Sequence, residues 1–216
     1  MINMKVIIVT GSVGTGKTTL SRKLAKKLDF RHIDVSKLID TEHISSGYDK
    51  KRKCKIIDIK KLNKSLIKLI NECKKPIIKK TIVPNSSSAL EKISKPLKQS
   101  LRRAQTNNKN LKKSKKINGI VVDSHLSHYL PKRYVDLCIV VKCGLKVIEK
   151  RLKKRKYDKE KIKENIECEI FDICLNEAKG KKHKIVVINT TKGINISEIS
   201  KKIKAREIKK ISGASS

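Results

Sequence analysis

Eight consecutive residues, Gly11-Ser12-Val13-Gly14-Thr15-Gly16-Lys17-Thr18, constrain this chain more than any other stretch of it. They spell G-x-x-x-x-G-K-[ST] in full. An apolar run, Lys5-Val6-Ile7-Ile8-Val9-Thr10, precedes them, and Leu20, Leu24 and Leu28 follow at helical spacing. A buried strand that turns through glycines into a helix is the setting this motif requires. Glycines let successive backbone N–H groups converge on phosphate oxygens, and the helix N-terminus adds positive potential. Lys17 supplies a point charge to β- and γ-phosphates, the Thr18 hydroxyl is placed to ligate Mg²⁺, and Thr19 is placed to reach the α-phosphate. Gly14, Thr15, Gly16, Lys17, Thr18 and Thr19 therefore form the expected contact set for ATP with its Mg²⁺.

A second strand, Ile120-Val121-Val122-Asp123, ends in a carboxylate, the pattern of a Walker B element whose Asp holds the metal. Thr18 and Asp123 are the expected metal ligands. His125 lies two residues beyond, at the end of the sheet where ligands bind, and is placed to orient a water or a phosphoryl oxygen. His128 reads as structural. Arginine is scarce, nine residues among 55 bases. Arg151 and Arg155, four apart, are candidates to fork onto the equatorial oxygens of a phosphoryl group in transfer. Lys17, Asp123, His125, Arg151 and Arg155 make up the expected catalytic set.

Strand-like segments at 5–10, 30–35, 117–123, 136–142 and 184–189 alternate with helical spacing at 17–28, 36–40, 59–73, 145–152, 158–178 and 196–203, with Ser36 as the expected cap of the second helix. Residues 47–49 read as loop. This alternation predicts an α/β three-layer sandwich on a five-stranded parallel sheet, and the glycine loop makes it a P-loop NTPase; the nucleoside monophosphate kinase type is implied by the resemblance given below. One domain is expected over 1–204, followed by a loose tail at 205–216. Segment 79–117 breaks the pattern with 12 bases against one acid and no aromatic residue, and reads as a basic flexible insertion with one helix near 90–104.

The net charge of +35 attracts phosphates and nucleic acid, and it also matches the Lys/Ile/Asn usage of an A+T-rich coding sequence; both readings stand. The six cysteines include no C-x-x-C pair, which argues against a zinc site and for reduced thiols in a cytoplasm. No apolar stretch approaches the roughly 20 residues of a membrane span, and no leader segment is recognised.

Taken together, Gly11–Thr19, Gly47-Tyr48-Asp49, Cys54, Asp58, Val122-Asp123-Ser124-His125, Pro131-Lys132-Arg133, Arg151-Leu152 with Arg155 and Tyr157, and Asn165-Ile166-Glu167-Cys168-Glu169-Ile170-Phe171 resemble the adenylate kinase isoenzyme six family. These are nuclear and archaeal adenylate kinases that also act as ribosome-assembly ATPases. The resemblance implies a monomeric nucleoside monophosphate kinase with ATPase activity that takes AMP or other NMPs. It implies a role in 16S rRNA maturation, with pre-rRNA and a small-subunit platform ribosomal protein as transient partners. It also places an NMP-binding region at 34–57, a lid at 154–164, Arg155 on ATP and His125 in hydrolysis. Three residues depart from the family: Val13 stands for a Pro, Asp40-Thr41 for Arg-Glu, and Lys156 for a Gly before Tyr157. Two other functions compete with the kinase: an assembly ATPase with little transferase activity, and a shikimate-kinase-like enzyme acting on a small metabolite.

Overall fold

The structure, a computed structural model, describes residues 4–50, 52, 54–74 and 117–203. Apart from Ile117, the basic segment 79–117 with its expected helix lies outside the described residues, as does the tail at 205–216.

Five strands build the main sheet: β1 (Lys5–Thr10), β2 (Arg31–Asp34), β5 (Gly119–Asp123), β6 (Leu137–Lys142) and β7 (Ile185–Asn189). They lie in the order β2-β5-β1-β6-β7, and every pairing is parallel. The expected five-stranded parallel sheet is therefore present. Its strands are apolar without alternation because both faces are covered. Val6 and Ile8 of β1 point into one core with Ile33, Ile120, Val122 and Leu62, Leu66 and Ile70 of helix α3 (Ile59–Lys74). Ile7 and Val9 point into the other, with Leu20 and Leu24 of α1 (Lys17–Leu28) and Ile199 and Ile203 of the helical segment 196–203. These two faces give the helix–sheet–helix layering.

The remaining elements flank the carboxyl ends of the strands. Helix α2 (Val35–Thr41) follows β2 directly; its cap is Asp34, whose carboxylate accepts from Ser36 N at 3.1 Å, in place of the expected Ser36. Residues 47–49, expected as loop, belong instead to strand β3 (Ser45–Asp49), which pairs antiparallel with β4 (Cys54–Ile57) as a separate hairpin. After β6 come α4 (Leu145–Lys154), α5 (Lys159–Ile170) and α6 (Ile173–Gly180). The single helix expected over 158–178 is broken at Asp172, which adopts φ 54, ψ 31, a left-handed conformation that ends one helix and redirects the next. A small core of Cys143, Ile148, Leu152 and Ile162 joins α4 to α5, and Val13 of the glycine loop packs against it. The side chain at the position of the family's Pro thus anchors the loop by apolar contact.

Candidate active site

The glycine loop leaves β1 at Gly11, whose φ of +142° and crowded surroundings exclude any side chain: a Cβ there would stand 2.4 Å from the Val141 carbonyl oxygen. The loop is cross-braced. Thr15 Oγ1 donates to the Ser12 carbonyl at 2.8 Å, Thr190 Oγ1 donates to the Thr15 carbonyl at 2.5 Å, and Arg151 Nη1 donates to the Gly14 carbonyl at 2.8 Å. Gly14 and Gly16 both take positive φ, 91° and 92°, which opens the loop into a cradle. Thr18 stands in the first turn of α1, beside Lys17, and Thr19 is exposed.

Asp123 closes the site from the end of β5. Its register partner on β2 is Asp34. Asp123 is 4% exposed and has His32 Nε2 at 3.7 Å, while its Oδ1 is buried with no hydrogen-bond partner. Burial raises its pKa, against the lowering pull of the nearby Thr18 hydroxyl, Lys17 and His32. Lys17 mirrors it: burial lowers its pKa, and Asp123 opposes that. A half-buried ammonium, which donates to the Ser12 carbonyl at 3.4 Å, and a buried carboxylate with one oxygen unpartnered thus face the same loop. This arrangement fits a phosphate and a divalent cation. Among the described residues there is no cluster of three or more His, Cys, Asp or Glu suited to hold a metal alone, so a cation here would complete its shell with phosphate oxygens and water.

His125 stands at the mouth. The surrounding protein, then Lys17 and His128, push its ring pKa down to about 4, so it is neutral at physiological pH. His128 faces inward: its Nδ1 is 2.8 Å from Thr10 Oγ1, its Nε2 is 2.8 Å from Glu177 Oε2, and its carbonyl is 2.8 Å from His183 Nε2. It is a structural histidine, as the sequence suggested.

The two candidate arginines separate. Arg151 has one nitrogen committed to Gly14 and within 3.5 Å of Cys143 Sγ, so its first role is to hold the loop. Arg155 is exposed at the end of α4, and its charge is felt at Lys17. The sequence did not single out Glu169, which is 4% exposed. It accepts from Ser12 Oγ at 2.8 Å and from Cys143 N at 3.0 Å, and tethers α5 to the loop. Thr190 was also missed; it starts the loop after β7, where a cavity of about 390 Å³ opens beside Asn189, Lys192, Gly193 and Asn195.

On the opposite flank, Asp40 of α2 is ion-paired with Lys55 of the β3–β4 hairpin, and Arg52 of the hairpin turn reaches Glu164 of α5 at 3.2 Å. These contacts frame the mouth between segments 34–57 and 154–164. Among the described residues no helix is long and apolar enough to cross a membrane.

Known proteins agree with this arrangement. A family model described as an AAA domain matches residues 7–172. The chain is 32% identical over 173 residues to the adenylate kinase isoenzyme 6 homolog of Caenorhabditis elegans, spanning 80% of this chain and 71% of the relative. It is 29% identical over 182 residues to the homolog of the same description from Dictyostelium discoideum, spanning 84% and 78%. A remoter likeness, with 11% identity and a TM-score of 0.48 over 97% of this chain and 96% of the other, is to the shikimate kinase of Acinetobacter baumannii in complex with shikimate. With a glycine loop and a buried carboxylate that suit phosphate chemistry, and with a relative 32% identical over 80% of the chain, the chain belongs to the adenylate kinase isoenzyme 6 family.

Proposed function

We propose that the chain is a nucleoside monophosphate kinase that transfers the γ-phosphoryl group of Mg·ATP to AMP or another NMP, and hydrolyses ATP when no acceptor is bound. The observation that carries this reading is the Lys17 ammonium set opposite the Asp123 carboxylate, whose Oδ1 is buried without a partner, beside the braced glycine loop. Mg²⁺, held by Thr18 and Asp123, would supply charge neutralisation on the β- and γ-oxygens. The loop amides and Lys17 bind the phosphates and align the γ-phosphoryl group; Arg151 positions the loop; Arg155 supplies a fork for charge that develops during transfer. No covalent intermediate is required, because positioning and electrostatics suffice for phosphoryl transfer. The adenine ring of ATP is assigned to the cavity beside Asn189 and Gly193. The acceptor is assigned to the 34–57 side, where Asp40 and Lys55 are ion-paired. Segment 154–164 acts as the lid whose closure excludes water. The neutral ring of His125 orients a water when the acceptor site is empty.

A second reading, favoured by the net charge of +35, makes ATP turnover the release step of a small-subunit assembly factor in the cytoplasm, acting on pre-rRNA and a platform ribosomal protein. A paired assay on the purified monomer separates the two. With Mg·ATP and AMP, ADP formation well above the phosphate released without AMP supports the kinase. Phosphate release indifferent to AMP overturns it in favour of the assembly ATPase.

A further inference from the structure

Among the described residues two carboxylate side chains are buried, Asp123 and Glu169, each 4% exposed, and the phosphate chemistry above uses only the first. Both oxygens of Glu169 are occupied. Oε2 accepts from Ser12 Oγ at 2.8 Å and Oε1 accepts from Cys143 N at 3.0 Å. Lys142 Nζ lies 3.6 Å from Oε1, donates to the Glu169 carbonyl at 3.1 Å and pairs with Asp172. The two groups that Glu169 grips lead into the loop. The Ser12 carbonyl accepts from Thr15 Oγ1 at 2.8 Å and from Lys17 Nζ at 3.4 Å. Cys143 Sγ lies 3.5 Å from the Arg151 nitrogen that donates to the Gly14 carbonyl.

We propose that Glu169 is a positioning residue that sets the phosphate loop from helix α5 and couples the lid, 154–164, to the Lys17 ammonium. The proposal rests on the nucleotide and lid readings given above. Helix α5 runs without a break from Lys159, inside the lid, to Ile170, just past Glu169. Ten residues, about 15 Å of helix, separate Lys159 from Glu169 and move as one rod. A shift of the lid half therefore carries the carboxylate with it. Ser12 follows, and with it the carbonyl on which Thr15 and Lys17 rest. Coupling of this kind is reciprocal: a phosphate that draws Lys17 off that carbonyl acts on the lid through the same bonds. The grip needs a side chain of this length with two polar ends. Glutamine supplies both, its carbonyl oxygen accepting from the Cys143 amide and its NH₂ donating to Ser12 Oγ, whereas alanine supplies neither.

The experiment measures Mg·ATP affinity of the full chain, and backbone hydrogen exchange over 154–164 with and without saturating Mg·ATP. In the wild type, Mg·ATP is expected to slow exchange over 154–164. E169A is expected to bind about tenfold more weakly, the scale of one lost hydrogen bond. At saturation its 154–164 amides are expected to exchange as in the nucleotide-free protein. E169Q should return affinity to within about threefold of wild type and restore the protection, which a role confined to stability would not require. S12A should match E169A, and the double variant should lose no more than either alone. Wild-type affinity in E169A, a lid protected by Mg·ATP as in the wild type, additive losses, or an E169Q no better than E169A overturns the proposal. Should E169A fail to fold, S12A carries the same two readouts, and wild-type values in S12A overturn it. A wild type that does not bind Mg·ATP sinks the nucleotide reading, and one that binds it without protection of 154–164 sinks the lid reading; the coupling falls with either, whereas its own failure shows only in the variants.

Discussion

The Arg151 guanidinium donates to the Gly14 carbonyl at 2.8 Å, so the residue that sequence spacing offers to the transferred phosphoryl group is first a brace for the loop that cradles it. Arg151 and Arg155 therefore fail differently when removed. Arg151→Ala leaves a loop carbonyl without its donor, and its expected effect is on binding, with the KM for Mg·ATP rising about tenfold. Arg155→Ala removes an exposed fork that touches no loop atom, and its expected effect is on kcat, a fall of about 100-fold with KM little changed. Steady-state kinetics of the two variants check the split; the same KM and kcat pattern in both would refute it.

Burial of the Asp123 carboxylate sets fold stability against its proposed metal-holding role. Burial raises its pKa, which means that the ionised carboxylate is disfavoured in the folded protein even with Lys17 and Thr18 nearby. For a carboxylate raised in this way, the metal-free fold gains stability as pH falls through the folded pKa and loses it as pH rises. Asp123→Asn keeps the shape and removes the charge. The expected outcome is a metal-free protein about 1 kcal/mol more stable in urea titration, with phosphoryl transfer reduced at least about 100-fold. Equal or lower stability would mean that Lys17 needs the charge more than burial penalises it.

The glycine loop and the Walker B strand were legible because their chemistry is local: the residue types that cradle phosphate are contiguous, and an apolar run ending in Asp marks a buried strand with its carboxylate at the carboxyl end of the sheet. What stayed hidden is set by distant partners. Glu169 looks like an ordinary acid on a helix, and only the fold reveals that Ser12 and the Cys143 amide bury it. The β3–β4 hairpin carries no periodic signal because Ser46, Gly47 and Tyr48 are all exposed, so neither face has an apolar stripe. The helix break at Asp172 lacks both glycine and proline. Its left-handed conformation is held by tertiary contacts, among them the ion pair of Asp172 with Lys142.

His125 is exposed at the mouth of the site, so solvent screens its contribution, and it gives the fold only a modest sensitivity to acid. Its pKa falls from 6.5 to about 4 on folding, so between these values the unfolded chain binds a proton that the native ring does not. The contribution is fully present above pH 6.5 and is lost as pH drops toward 4. His125→Gln is expected to flatten the fall in melting temperature across that window. It should also lower ATP hydrolysis more than transfer to AMP, and wild-type hydrolysis should show no titration near the ordinary imidazole value. A parallel loss of both activities would make the ring structural.

Lys156 sits where only glycine is at ease. It follows α4 with φ +58°, its N–H donating to the Lys153 carbonyl at 2.9 Å while Tyr157 N reaches back to the Leu152 carbonyl at 3.3 Å. This is a helix ending that requires a left-handed residue, and a side chain there strains the backbone. Glycine takes this conformation without strain, and Lys156→Gly is expected to stabilise the protein by about 0.5–1 kcal/mol in urea titration. Tyr157, which Lys161 approaches to 4.9 Å of the ring centre, should keep its place. Because the residue lies in the proposed lid, 154–164, the same variant tests whether strain there sets turnover. A stabilised protein with unchanged kcat places the strain outside the catalytic cycle, whereas a changed kcat makes this turn the lid's hinge.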